Sequence, residues 1–183
     1  MVFRMVQVGL GRFGRRWLDV VLSSPDWRYA ALVTRNAAVL QECGRKCSLG
    51  DEFLFSDLET ALQKVADADA VLVTTPYFKH AEEALLSLRY GRNVLVEKPL
   101  CDTLADANRM RDAARDSGKI LMVSENYRFR PAAVTVKDLM AGGAIGSPEF
   151  ICIQYFVKHS FPSDDWRNKI GCPVLVENAT HHY

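Results

Sequence analysis

The chain has no apolar run approaching the roughly 18 residues of a membrane-spanning helix, so no such span is expected. It also has almost no net charge: 23 Lys and Arg against 22 Asp and Glu leave +1, which argues against nucleic acid or a membrane surface as a partner. A signal-peptide pattern is missing because Arg12, Arg15 and Arg16 interrupt the N-terminal region, and a cytoplasmic location is the expectation. The five cysteines, Cys43, Cys47, Cys101, Cys152 and Cys172, are odd in number and scattered. Without C-x-x-C pairs or clustered histidines they do not form a zinc pattern, so no metal is expected and reduced thiols are the plain reading. No repeat or low-complexity segment occurs. The remainder is ordinary globular composition, 49% hydrophobic and 25% charged, in 183 residues, enough for one domain and part of a second.

The most informative feature is Gly9-Leu10-Gly11-Arg12-Phe13-Gly14, directly after the apolar run Met5-Val6-Gln7-Val8 and before a stretch of helical spacing from Arg15 to Leu22. Strand, glycine turn and helix in that order are the context of a dinucleotide-binding fingerprint. Gly9 permits the tight turn, Gly11 lets the backbone approach a pyrophosphate, and Gly14 lets helix and strand pack closely. The helix N-terminus then presents free N–H groups and partial positive charge to phosphates.

Along the chain the hydrophobic period switches repeatedly. Strands are expected over residues 28–33, 52–55 (an edge strand), 70–74, 94–96 and 120–123, the 70–74 and 120–123 runs as buried strands. Helices are expected over 37–47, 58–62 and 80–88, with another opening at Thr103 as N-cap and stopping at Gly118. Short strands alternating with helices indicate an α/β fold with a doubly wound parallel sheet. After about residue 130 the character changes. A helix over 131–139 and a long β-rich run over 149–157 fit the start of a second α/β domain with an antiparallel sheet, followed by a polar loop over 158–171 and a helix from Val174. The expected division is a dinucleotide-binding domain over 1–128 and an incomplete second domain over 129–183.

At the end of the second strand an NAD site carries an Asp or Glu that binds the ribose 2′-hydroxyl. Here Val33-Thr34-Arg35-Asn36 offers no carboxylate. Thr34 can hydrogen-bond a phosphate oxygen and Arg35 can pair with its charge, which favours NADP over NAD. Val94-Leu95-Val96-Glu97-Lys98-Pro99 then brings two charged groups to the carboxyl end of a strand, where open α/β sheets bind ligands. A lysine there can hydrogen-bond a reacting oxygen, although a surface ion pair is the plainer reading of three residues in isolation.

Taken together, Gly9-x-Gly11-x-x-Gly14, Thr74-Thr75-Pro76 with His80, Glu97-Lys98-Pro99 and Asn126-Tyr127-Arg128-Phe129, in this order and spacing, resemble the Gfo/Idh/MocA oxidoreductases over nearly the whole chain. The resemblance implies a Rossmann domain, then a domain built on a large, mostly antiparallel sheet, and hydride exchange between NADP or NAD and a secondary alcohol or carbonyl of a sugar, cyclitol or related small molecule. It also implies homo-oligomers for full-length relatives. Thr74, Thr75 and Pro76 resemble the turn lining the cofactor, and His80 the histidine that follows it. On the residues alone, a histidine at an apolar helix start reads first as a satisfied packing side chain. Glu97 resembles a contact to the nicotinamide ribose and Lys98 the catalytic lysine beside the substrate hydroxyl. Asn126 and Arg128 resemble crevice residues, and Trp166-Arg167 a segment near the cofactor; Arg128 can instead tie domains together, and a Trp-Arg pair can simply pack.

The family carries a glycine-rich turn and a helix with an Asp and, four residues later, a His. In the corresponding stretch, Gly171-Cys172-Pro173 through His181-His182, His181 matches the catalytic histidine and Glu177 the acid, with Glu in place of Asp and Cys172-Pro173 in place of glycines. Four residues apart on a helix they share a face. His181 can take the hydroxyl proton and Glu177 can orient the hydroxyl or the imidazole, with His182 as the alternative base. The abrupt end at Tyr183 supports a non-catalytic dinucleotide-binding sensor as the alternative, but because Glu177 and His181 keep the catalytic spacing, a fragment of a longer enzyme is expected ahead of it.

Overall fold

Side-chain alternation within short apolar runs builds the architecture. In the computed structural model, which describes residues 1–150 together with Cys152, Gln154 and Asn168, the chain forms two compact units, Met1–Ser124 and Glu125–Tyr183. The first unit is a six-stranded, all-parallel sheet of β1 (Phe3–Val8), β2 (Trp27–Val33), β3 (Leu54–Phe55), β4 (Ala70–Val73), β5 (Asn93–Val96) and β6 (Leu121–Val123), in the order β3-β2-β1-β4-β5-β6. The helices are α1 (Gly14–Leu22), α2 (Ala37–Lys46), α3 (Leu58–Lys64), α4 (His80–Arg89) and α5 (Leu104–Ser117). This is the order of a doubly wound dinucleotide-binding sheet, and its direction reverses between β1 and β4.

Two cores flank the sheet. Val6, Val8, Val71, Val73, Val94 and Val96 share one core with Leu62 of α3, Leu88 of α4 and Met110 of α5. Met5, Leu32 and Leu72 join the other with Leu18 of α1 and Leu40 of α2. The register slips between Met5 and Val6, which pair with Tyr29 and Ala31, so Ala30 is an extra residue that resets the alternation of β2. Local chemistry sets the helix ends. Asn36, Asp57 and Thr103 accept N-cap bonds from Val39, Thr60 and Asp106 N–H, and Gly118 closes α5 in the left-handed conformation at φ +64°.

Two expectations change. Residues 52–55 do not form a four-residue strand: Asp51–Phe53 is a 3-10 turn and only Leu54–Phe55 pairs with β2. The strand over 120–123 is not buried, since Ile120 is 67% and Met122 47% exposed. It pairs only with β5, as an edge strand of this unit, and an apolar run reads the same in sequence whether one or two neighbours flank it.

The second unit contributes a 3-10 turn, Tyr127–Phe129, and α6 (Pro131–Ala141), with Pro131 in its first turn. The strand expected over 149–157 runs beyond the described residues, as do the 158–171 loop and the helix from Val174. Among the described residues no helix is long and apolar enough to cross a membrane, and no cluster of His, Cys, Asp and Glu could hold a metal ion.

Candidate functional site

The carboxyl ends of β1, β2 and β4 border a cleft of about 340 Å³ at the point where strand order reverses. Its walls are Val8 to Gly11 from the glycine turn, Val33 to Asn36 after β2, Ser56 after β3, and Thr74 to Pro76 after β4. The three glycines of the turn differ in what they face. At Gly9 the backbone has φ +92°, and a Cβ there would sit 2.6 Å from the Thr74 carbonyl carbon and the Thr75 nitrogen. A Cβ on Gly14 would collide with the Gly9 carbonyl and come within 2.7 Å of Thr74 Oγ1. Around Gly11 nothing lies within 4 Å, so its bare backbone borders open space. No side chain caps α1 and no acid lies in its first turn, leaving its N-terminus electropositive. An open backbone cradle before an uncapped helix fits a diphosphate.

Beneath the turn lies a polar network. Gln7, fully buried in β1, donates from Nε2 to the Gly14 carbonyl at 2.8 Å and, at 3.2 Å each, to the Gly9 carbonyl and Thr74 Oγ1. Its Oε1 accepts from the Tyr29 hydroxyl at 2.6 Å. Thr74 Oγ1 in turn donates towards the Val8 and Gly9 carbonyls. One side chain therefore grips both ends of the glycine turn. Burial pushes the Tyr29 hydroxyl far up from its usual titration, so it stays a donor.

On the β5 side, Glu97 is buried and its Oε1 accepts from Trp17 Nε1 at 2.8 Å, while Oε2 accepts from the Lys98 N–H at 3.1 Å. Burial raises the carboxyl above its ordinary value, and the bonds from Trp17, Lys98 and Ser124 oppose that shift. Glu97 thus ties α1 to the start of the segment bearing Lys98, whose peptide bond to Pro99 is cis. His80, at the start of α4 and 1% exposed, has Nε2 2.8 Å from the Thr75 carbonyl oxygen and Nδ1 2.9 Å from that of Pro99. Glu83, one turn further, accepts the Thr75 hydroxyl. Desolvation pushes its carboxyl up to about 7; the Thr75 bond pulls the other way, Glu82 adds to the rise, and Lys79 and Arg35 weakly oppose it.

Of the residues singled out in the sequence, Gly9, Leu10, Gly11, Thr34, Arg35, Thr74, Thr75 and Pro76 meet around the one cleft. Arg12 and Phe13 stand exposed at the turn, where the Arg16 guanidinium lies 5.7 Å from the Phe13 ring centre. Glu97, Lys98 and His80 lie beside the cleft, without forming its wall. Asn126 and Arg128 belong to the second unit, both exposed, with the Arg128 guanidinium 5.4 Å from the Phe129 ring centre. Trp166, Arg167, Glu177 and His181 lie outside the described residues. Sequence reading passed over Gln7, Trp17, Tyr29, Ser56 and Glu83. Gln7 alone had a local signal, a polar residue inside the apolar run of β1. Burial raises the Cys47 thiol to about 11 and pushes those of Cys43 and Cys101 upward, away from the reactive thiolate form.

Comparison with known proteins gives a family model described as an oxidoreductase family with an NAD-binding Rossmann fold, matched over residues 3–125. A 1-carboxy-3-chloro-3,4-dihydroxycyclohexa-1,5-diene dehydrogenase of Comamonas testosteroni is 33% identical over 181 residues, covering 97% of this chain and 45% of that protein. Among solved structures, the WlbA dehydrogenase from Bordetella pertussis in complex with NADH and UDP-GlcNAcA is similar at TM-score 0.74 and 25% identity, over 80% of this chain and 44% of that one. A 3-ketoreductase from Actinomadura kijaniata, solved with TDP-benzene and NADP, is similar at TM-score 0.71 and 26% identity, over 80% of this chain and 46% of that one. The chain spans about half the length of the curated relatives it matches.

Proposed function

This chain belongs to the Gfo/Idh/MocA oxidoreductase family, and on that premise we propose that its cleft binds NADP in preference to NAD. We further propose that the whole protein transfers a hydride between that cofactor and a secondary alcohol or carbonyl of a sugar, cyclitol or related small molecule. The observation that carries the cofactor reading is the cleft itself. Its diphosphate end has an open glycine backbone, and its far end holds Thr34 and Arg35 with no carboxylate among the lining residues. A 2′-phosphate gains charge-assisted bonds from Arg35 and Thr34, with Ser56, at the end of the neighbouring β3, as a further donor, and meets no carboxylate among the lining residues. The cofactor class has support in relatives solved with NADH and with NADP.

The nicotinamide, when bound, supplies the hydride acceptor or donor. Lys98 is positioned by its own segment: its backbone N–H is held by Glu97, which Trp17 holds in turn. Its ammonium hydrogen-bonds the substrate oxygen and lowers the cost of developing alkoxide charge. His181 exchanges the hydroxyl proton, and Glu177 orients the hydroxyl or the imidazole. The Comamonas relative is named for a dihydroxylated, carboxylated ring, a small carbocyclic alcohol of the kind this chemistry would act on.

In the full-length enzyme, replacing Lys98 with Met is expected to lower turnover by orders of magnitude on a sugar and polyol panel while cofactor affinity stays nearly intact. Near-normal turnover in that variant would remove Lys98 from the mechanism.

A further inference from the structure

His80 lies behind the cleft wall and is buried to 1% exposure, yet its ring is not packed as an apolar filler. Its two nitrogens point to carbonyl oxygens of two different segments. Nε2 lies 2.8 Å from the oxygen of Thr75, which lines the cleft after β4, and Nδ1 lies 2.9 Å from the oxygen of Pro99, next to Lys98 after β5. The backbone ladder between these strands reaches as far as the Glu97 N–H to Val73 carbonyl bond at 2.9 Å. Past that bond the imidazole bridges the two segments. Thr75 is gripped a second time from the same helix, its hydroxyl donating to Glu83. The first turn of α4 therefore braces the cleft wall at two points and reaches the lysine segment at a third.

We propose that His80 is a positioning residue that clasps the cleft wall to the Lys98–Pro99 segment, so that a dinucleotide filling the cleft stiffens the segment that presents Lys98. This deepens the reading given above and rests on it for the identity of the ligand. The ring spans both carbonyls at once, whichever nitrogen carries the proton, whereas a side chain with its polar group at one end meets only one of them. The clasp therefore has a property that simple packing lacks. A substitute that fills the volume, or one that keeps a single donor, cannot do its work.

The test uses amide hydrogen exchange in the full chain with NADPH and NADH as probes. Three variants separate the roles: His80→Phe keeps bulk without a donor, His80→Gln keeps a donor near the Nε2 position, and His80→Asn keeps one near Nδ1. In the unliganded wild type, the amides of Glu97, Lys98, Leu100 and Cys101 should exchange at least about fivefold more slowly than in His80→Phe, the factor expected from one net hydrogen bond, while β1 amides are unchanged. With saturating NADPH the wild-type segment should slow further, and all three variants should still bind NADPH yet lose that added protection. Equal rates in the unliganded proteins would overturn the clasp. So would NADPH-induced protection that persists in His80→Phe or in either single-donor variant. If neither nucleotide binds the wild type, the dinucleotide reading fails, and the unliganded exchange rates still decide the clasp on their own.

Discussion

Replacing Glu83 with Gln should stabilise the protein at alkaline pH and leave it unchanged in acid. Glu83 sits against the cleft wall with its carboxyl pushed up to about 7, chiefly by burial, from an ordinary value of 4.5. Below the ordinary value the group is protonated in both folded and unfolded chains and costs nothing. Between the two values the folded protein keeps a proton that the unfolded chain has released, so stability falls as pH rises. Above about 7 the folded state holds a buried charge, and the full penalty applies. A displacement of that size corresponds to at most about 3 kcal/mol, at 1.36 kcal/mol for each unit. Gln keeps an oxygen for the Thr75 hydroxyl and carries no charge, so it removes the penalty without breaking that bond.

The assay is urea unfolding of wild type and variant at pH 4.5 and pH 8.5, values chosen around the window in which Glu83 titrates. Nearly coincident curves are expected at the lower pH, and a variant more stable by about 2–3 kcal/mol at the higher one. Glu97 is also raised by burial and adds a slope of the same sign, but it is present in both proteins and cancels in the difference. A variant offset that is equal at both pH values would refute the reasoning, because it would mean that Glu83 is ionised alike in the folded and unfolded chains.

The glycines of the turn should separate cleanly in thermal unfolding and nucleotide titration. Gly9→Ala, at φ +92° with its new Cβ 2.6 Å from backbone, should cost about 2–4 kcal/mol from left-handed strain and overpacking. Gly11→Ala, with open space around it, should leave stability within about 0.5 kcal/mol and instead weaken dinucleotide binding, as crowding of a diphosphate requires. Gln7→Leu should destabilise by about 1–3 kcal/mol, because the buried Tyr29 hydroxyl and the turn carbonyls lose their partner. Adding Tyr29→Phe should then cost less than it does in the wild type, measured as a double-mutant cycle by urea unfolding.

Much of the first unit is legible in short-range signals. Apolar runs that alternate between two cores, the N-cap at Thr103, and the glycine turn all act within a few residues of themselves. The cleft side of the site is legible for the same reason, since parallel strands deliver their carboxyl ends to one edge and Thr34, Arg35 and Thr74 to Pro76 come with them. What escaped notice depends on distant partners. Glu97 is held by Trp17, 80 positions away, and Gln7 by Tyr29, 22 away. The perturbed acidity of Glu83 comes from burial that no local pattern encodes. The exposure of β6 likewise follows from which strands flank it. His80 shows both sides of this. Its burial was expected from an apolar helix start, while its two carbonyl partners exist only once β4 and β5 lie side by side.

The central claim, that this cleft is built for NADP, is tested most directly by equilibrium titration of the chain with NADPH and NADH, in wild type and in Arg35→Ala. NADPH should bind at least about tenfold more tightly, as one charge-assisted contact to a 2′-phosphate implies, and the Arg35→Ala variant should bring the two affinities close together. NADH binding as tightly as NADPH, or a preference for NADPH that survives the loss of Arg35, would contradict it.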